Sequence, residues 1–428
     1  MSARGTSRKP HVLIVDSGMR THGGHNFSYT RAVQRALEAR GAAVDVFVNR
    51  GLASDMAEAH GFHPIFSCGA YDHPLGHGRV RDLVYLRAQS VVYTEELFHG
   101  LRCVLKREPD LVFCHTLADF ELLGWRRYVS SHGLAGCLAL LLRQTPRWTT
   151  AGWLRRTLNP YWRLKPKALA DIRARLREKF LLCTDSVPLS EDYARVYSGR
   201  IATLPIPLDP SLFEPASAAG TAVSARYGFA ERDALRVGYL GDARASKGFP
   251  LLPDLVRRVD APAARFVIQC PRPASGDDHA TLPAGLAELQ ALASQPGTRL
   301  TLVPEKLTNE DYADFFQHLD VVLLPYVHDS YREATSGIFA EALALGKPVV
   351  VPSGTWMASE LGDSGAGAIF ARDDAEELAA RVRDVVARHA DYAAAAQRRS
   401  GPWRVFHSAD TLARMLLAET GLDRPLVD

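Results

Sequence analysis

Short, continuously apolar runs recur along this chain with helix-like patterns between them, and this alternation restricts the possible folds more than any other feature. The runs His11–Asp16, Ala43–Val48, Leu111–Cys114, Cys137–Leu142 and Phe180–Thr184 come first. After a break follow Arg236–Leu240, Arg265–Cys270, Arg299–Val303, Asp320–Pro325 and Pro348–Val351. Runs apolar on consecutive residues suit parallel strands buried on both faces. Helical spacing appears in Phe27–Ala39, Leu189–Tyr197, Tyr312–His318 and Ala375–Ala387. The pattern predicts an α/β protein of doubly wound parallel sheets.

The break lies at Thr203 to Phe213, where three prolines in six residues (Pro205, Pro207, Pro210) make a stiff, extended connector. It divides the 428 residues into halves of similar length. The expected organisation is a first domain over 1–205, a second over 206–400, and a C-terminal helical segment, 401–428, that packs back on the first. In open α/β sheets ligands bind beyond the carboxyl ends of the strands. Two such domains facing each other would enclose a cleft lined by strand-end loops.

An apolar share of 47% and a charged share of 23% are ordinary for a soluble globular protein. No apolar stretch approaches the roughly 20 residues of a membrane-spanning helix, and the run after Pro10 is too short for a signal-peptide core. Six cysteines without a C-x-x-C pair read as reduced thiols of a cytoplasmic protein and make a structural zinc site improbable. The net charge of +3 conceals a basic stretch. Residues 143–180 hold eleven Lys/Arg, Arg143 among them, against Asp171 and Glu178, a local charge of +9. Trp148, Trp153, Tyr161 and Trp162 interleave with these charges. The combination suits an anionic membrane surface or a lipid-linked phosphate, and equally a solvated helix face. No nucleic-acid motif accompanies it.

The most informative segment runs from Tyr331 to Pro352. Ser336 and Gly337 stand where a helix should begin, Glu341 lies about one turn inside it, and Gly346-Lys-Pro348 ends it before Val349–Val351. A helix start of this kind offers unpaired backbone N–H groups and a positive dipole end to phosphate. Glu333 and Glu341 cannot bind phosphate, but their carboxylates can accept hydrogen bonds from sugar hydroxyls beside it. The loop Gly241-Asp-Ala-Arg244-Ala-Ser-Lys247-Gly248 follows the first strand of the second half, and Arg244 with Lys247 makes a plausible diphosphate clamp. In the first half, Gly23-Gly24-His25 follows the opening strand, where glycines let backbone approach a ligand. His115 ends Asp110-Leu-Val-Phe-Cys114 and would point into the cleft.

Together these pieces resemble the family 4 type of retaining, nucleotide-sugar-dependent glycosyltransferases, whose two Rossmann-like domains face each other across a cleft in the GT-B fold. The resemblance is clearest over 236–391 and looser over 11–213. The family's Glu-(seven residues)-Glu signature falls on Glu333 and Glu341, and its E-A-x-A-x-G-K-P-V-V run on Glu341-Ala-Leu-Ala-Leu-Gly-Lys-Pro-Val-Val350. Its lysine-glycine falls on Lys247-Gly248, its interdomain segment on Leu204-Pro-Ile-Pro-Leu-Asp209, and its D-x-V-x-x-H strand end on Asp110–His115. Three places depart from the pattern. Asp242 stands where an arginine is usual, the close-approach glycine is displaced to Gly337, and Trp356 lies in the last glycine-rich loop, where it could narrow the donor pocket.

The resemblance implies an acceptor-binding first domain and a donor-binding second domain. It implies transfer of a hexose from a UDP- or GDP-linked donor to a hydroxyl of a glycan, lipid-linked or small-molecule acceptor, in polysaccharide or glycoconjugate synthesis. Arg244, Lys247 and the Ser336/Gly337 amides would meet the diphosphate, so no metal and no cofactor are expected. Glu341 would hold the ribose, Glu333 the donor sugar and His115 a sugar hydroxyl. Gly23, Gly24 and Gly241 would line the donor, His25 and Arg143 the acceptor. The expected setting is cytoplasmic, with peripheral membrane association through 143–180. A nucleotide-sugar epimerase of the same fold and a non-catalytic nucleotide-sugar-binding protein are the competing readings, and a nucleic-acid partner is not expected.

Overall fold

A computed structural model describes residues 8–21, 25–69, 72, 79–144, 161–214, 226–227, 234–259, 263–271, 282–371 and 374–423. The chain forms two compact units: residues 1–207 with 408–428, and residues 208–407. At the crossing, Leu208 N donates to His407 O (2.9 Å). Of the segment expected over 401–428, residues 401–406 instead complete the helix His389–Phe406 of the second unit, which extends to His407, and residues 408–428 belong with the first.

The first unit holds seven strands: β1 (His11–Asp16), β2 (Ala43–Asn49), β3 (Phe62–Phe66), β4 (Leu111–Cys114), β5 (Cys137–Leu141), β6 (Phe180–Thr184) and β7 (Ile201–Thr203). They pair in the order β3-β2-β1-β4-β5-β6-β7, every pairing parallel. Period-two alternation divides β1 between the two faces. Leu13 and Val15 join a core with residues of the helices Arg79–His99, Asp119–His132 and Tyr161–Leu176. Val12 and Ile14 join a second core with the helices His25–Ala39 and Ala409–Glu419. The latter helix contributes Leu412, Ala413, Leu416 and Leu417, each nearly or fully buried. Burying an aliphatic side chain contributes roughly 1.5–3 kcal/mol, so this returning helix is integral to the first unit.

The second unit repeats the plan with β8 (Leu235–Tyr239), β9 (Ala264–Gln269), β10 (Leu300–Val303), β11 (Val321–Leu323), β12 (Val349–Pro352) and β13 (Gly367–Phe370). Their order is β10-β9-β8-β11-β12-β13, again parallel throughout. Both sheets thus reverse direction beside their first strand, between β1 and β4 and between β8 and β11. That reversal is where a doubly wound sheet opens a crevice for ligands.

Candidate functional site

At the switch point of the second unit, the loop after β8 and the chain after β11 press together. Gly241 (φ +94°) turns the chain out of β8, and its N–H donates to Gln269 Oε1 (2.8 Å). Gly248 (φ +71°) lies so near that any Cβ there would overlap the Pro325 carbonyl. Val327 N donates to Ser246 O (3.0 Å), tying the two loops by backbone. Only glycine accommodates both the positive φ and this approach.

These turns deliver Lys247 to the start of the helix Gly337–Ala344. A Cβ added at Gly241 would stand 2.6 Å from Lys247 Nζ and 3.1 Å from Ile338 Cδ1, so ammonium and helix start flank the same glycine. Ser336 caps this helix, its Oγ accepting from Phe339 N (3.2 Å). The N–H groups of Gly337 and Ile338 therefore lie in the first turn without an intrahelical acceptor. Burial pulls the Lys247 ammonium below its ordinary range, with Asp242 and Glu341 opposing that pull. A partly desolvated ammonium beside helix N–H groups that lack an intrahelical acceptor favours an anion.

Glu341, one turn further, is half-buried, and desolvation pushes its carboxyl up to about 7. Tyr312, on the helix Asn309–Gln317, donates to Glu341 Oε2 (2.6 Å) and resists that rise. Sequence reasoning missed Tyr312, since a tyrosine on an amphipathic helix reads as core. Glu333 is also buried, paired with its neighbour Arg332. Arg244 is exposed and is not free to act alone: its Nη2 lies 2.6 Å from Asp242 Oδ2. Trp356 does not line a donor pocket. It is buried and packs edge-to-face on Phe339 (5.3 Å, 71°), so it is a core residue.

The switch point of the first unit is polar but closed. Asp16 ends β1 and His115 follows β4; both are almost wholly buried, with His115 Nε2 3.5 Å from Asp16 Oδ2. The helix His25–Ala39 lays Thr30 over them. Its hydroxyl donates to Asp16 Oδ2 (3.0 Å), so its oxygen takes the proton of His115 Nε2 (2.7 Å). Thr116 Oγ1 meets His115 Nδ1 (3.1 Å), and Tyr29 stacks on the ring (4.3 Å). His115, expected to point at substrate, has both nitrogens engaged and is 1% exposed. Nearby Glu121 accepts from Ser17 Oγ and from Ala118 N (2.6 Å). Burial pushes Asp16 up to about 7, against the Thr30 and Gly18 hydrogen bonds and the charge of Arg143, and it pushes Glu121 up to about 8, against the hydrogen bonds from Ala118 and Ser17.

Arg143, just past β5, lies 3.2 Å from Asp185 Oδ2 and 4.8 Å over the Tyr29 ring. Gly23 and Gly24 lie outside the described residues, as do Trp148 and Trp153; His25 begins its helix with its side chain outside them. Of the expected basic surface, Lys165 pairs with Asp119 (2.6 Å), Arg173 donates to Ser198 (2.7 Å) and Lys179 to Ala135 O (2.9 Å). Lys167, Arg175 and Arg177 are exposed. Among the described residues no helix is long and apolar enough to cross a membrane. A groove of 540 Å³ in the second unit, lined by Gly362–Gly365, Arg381 and Arg388, precedes β13 and so lies at the opposite strand ends; these arginines pair with Glu377 and Asp384.

Two six- or seven-stranded parallel sheets, each reversing at its first strand, define a protein of the GT-B fold class. Solved structures agree. A sucrose-phosphate synthase from Thermosynechococcus elongatus is 17% identical with a TM-score of 0.65, covering 96% of this chain and 97% of that one. HepE of Anabaena, solved with UDP and glucose, is 14% identical with a TM-score of 0.63, covering 96% and 98%. A structure described as trehalose-6-phosphate from E. coli bound with UDP-2-fluoro glucose is 14% identical with a TM-score of 0.67, covering 96% and 98%. At these identities the likeness establishes the fold. Residues 234–388, within the second unit, match the family described as Glycosyl transferases group 1. Among curated proteins no sequence matches the chain.

Proposed function

We propose that the protein is a retaining glycosyltransferase that moves a hexose from a UDP- or GDP-linked donor to an acceptor hydroxyl. The carrying observation is the convergence of Lys247, the N-terminus of the helix Gly337–Ala344 and half-buried Glu341 at the β8/β11 switch point. Charge develops on the diphosphate as the glycosidic bond breaks, and pre-placed cations and N–H groups stabilise it without reorganising. Lys247 and the Gly337 and Ile338 amides take that role, with Gly241 giving backbone room, so neither metal nor cofactor is required. Glu341 holds the ribose hydroxyls and Glu333 the donor sugar. The bound UDP and UDP-2-fluoro glucose named for two structures of like fold support a nucleotide-sugar donor.

Retention follows a front-face course in which the departing phosphate helps to deprotonate the acceptor. The first unit binds a glycan, lipid-linked or small-molecule acceptor through its strand-end loops, with His25 and Arg143 as the candidates, while Gly23 and Gly24 line the donor. His115 acts there as a positioning residue that holds Thr30 and Asp16, since its nitrogens are already engaged. A cytoplasmic setting with peripheral membrane contact through 143–180 belongs to the same proposal. Thermal-shift titration with UDP, GDP, ADP and their sugars, followed by donor-turnover assays with and without acceptors, tests it. A protein that binds none of these nucleotides overturns the reading. Donor conversion that needs no acceptor would indicate an epimerase instead.

A further inference from the structure

The loop that presents Lys247 also carries its own anion. Asp242 occupies the third position after β8, where its carboxylate lies 2.6 Å from Arg244 Nη2. Its backbone oxygen accepts from the buried Tyr239 hydroxyl (3.2 Å), which fixes the residue at the mouth of the turn. Lys247, on the 3-10 turn Ala245–Lys247 of the same loop, feels the Asp242 charge as well. No hydrogen bond or ion pair to Lys247 Nζ is formed among the described residues, so Asp242 is the nearest counter-charge that this loop offers to both of its cations.

We infer that Asp242 is an internal counter-anion of the donor site, holding Arg244 in the empty state and weakening the site for doubly charged diphosphate. This rests on the donor reading above. A donor diphosphate entering beside Lys247 brings like charge toward the Asp242 carboxylate and competes with it for Arg244. Like charges a few ångströms apart repel, and an exposed ion pair must be exchanged for a new one. The residue therefore sets affinity downward and makes release of the spent nucleoside diphosphate easier. Recognition of the base and ribose, centred on Glu341, is untouched by it.

Calorimetric titration of UDP and GDP into wild type, Asp242→Asn and Asp242→Ser tests the inference, with uridine and guanosine as uncharged probes. Both variants should bind the diphosphate roughly three- to tenfold more tightly at low salt. That gain should shrink as salt rises, because screening removes the repulsion being relieved. Nucleoside affinity should stay at the wild-type value. Combining Asp242→Asn with Arg244→Gln should abolish most of the gain, since Arg244 is the group set free. Unchanged or weaker diphosphate binding in both single variants, with wild type binding normally, overturns the inference and leaves the donor reading standing. Absence of UDP and GDP binding in every protein removes the donor reading and this inference together.

Discussion

The two switch points share one topology and differ in chemistry. After β1 and β4, Asp16, Thr30, His115, Ser17 and Glu121 satisfy one another, and the carboxyls shed much of their charge by being buried. After β8 and β11, Lys247 and the first amides of Gly337–Ala344 converge without such internal satisfaction. The same crevice geometry can therefore be closed by its own side chains or left wanting a ligand. What decides is whether the crossover helix lays a hydroxyl such as Thr30 over the strand ends, or begins there with small residues such as Ser336 and Gly337.

The contrast can be broken most severely at Lys247. Lys247→Ala should lower transfer and donor hydrolysis about 10²–10³-fold, the usual cost of removing one pre-placed electrostatic group; near wild-type rates would mean the open site is elsewhere. Gly248→Ala forces an L-residue to φ +71° against the Pro325 carbonyl. It should cost roughly 2–4 kcal/mol of stability, read by chemical denaturation, and an unchanged midpoint would dissolve the idea that two tightly apposed loops build the site.

The closed site makes a pH prediction. Asp16 holds its proton to about 7 in the folded protein against an ordinary 3.8. Its contribution to stability is thus fully present below about pH 4 and is lost as pH rises through 7, with a slope of at most ~1.4 kcal/mol per pH unit. Asp16→Asn should flatten the dependence of the melting temperature on pH across that window. An identical profile in the variant would show that this network is not the titrating element. The smallest effect belongs to Tyr312→Phe. Losing its hydrogen bond lets the Glu341 carboxyl rise beyond about 7, so nucleotide affinity at pH 7 should fall roughly three- to tenfold. The acid limb of its pH profile should move to higher pH, and a limb that stays in place would exclude Glu341 as the responsible group.

Much of the fold was legible because central parallel strands are apolar on both faces. Every strand inferred from such a run exists, with ends shifted by a residue or two. The strands that escaped notice, β3, β7 and β13, all lie at sheet edges. Edge strands are short and tolerate Pro64 or Gly367, residues that read as breaks. The cap at Ser336 was also legible, since small polar residues before an apolar helix signal an N-terminus. Contacts between residues far apart in sequence were not. Nothing local announces that Tyr312 reaches Glu341, that Thr30 lies between Asp16 and His115, or that Trp356 turns inward onto Phe339. Arg244 looked available because its pairing with Asp242 depends on how the loop curls.

The helix Ala409–Glu419 closes a face of the unit that begins the chain, although the whole of the second unit is synthesised before it. On the ribosome the first sheet must therefore wait, with the face around Val12, Ile14 and Val33 incompletely covered, while residues 208–407 emerge and complete a core of their own. The half that begins the chain is thus the last to be finished. A chain truncated before Leu412 and released would present an unclosed apolar face to chaperones while its second unit was already whole.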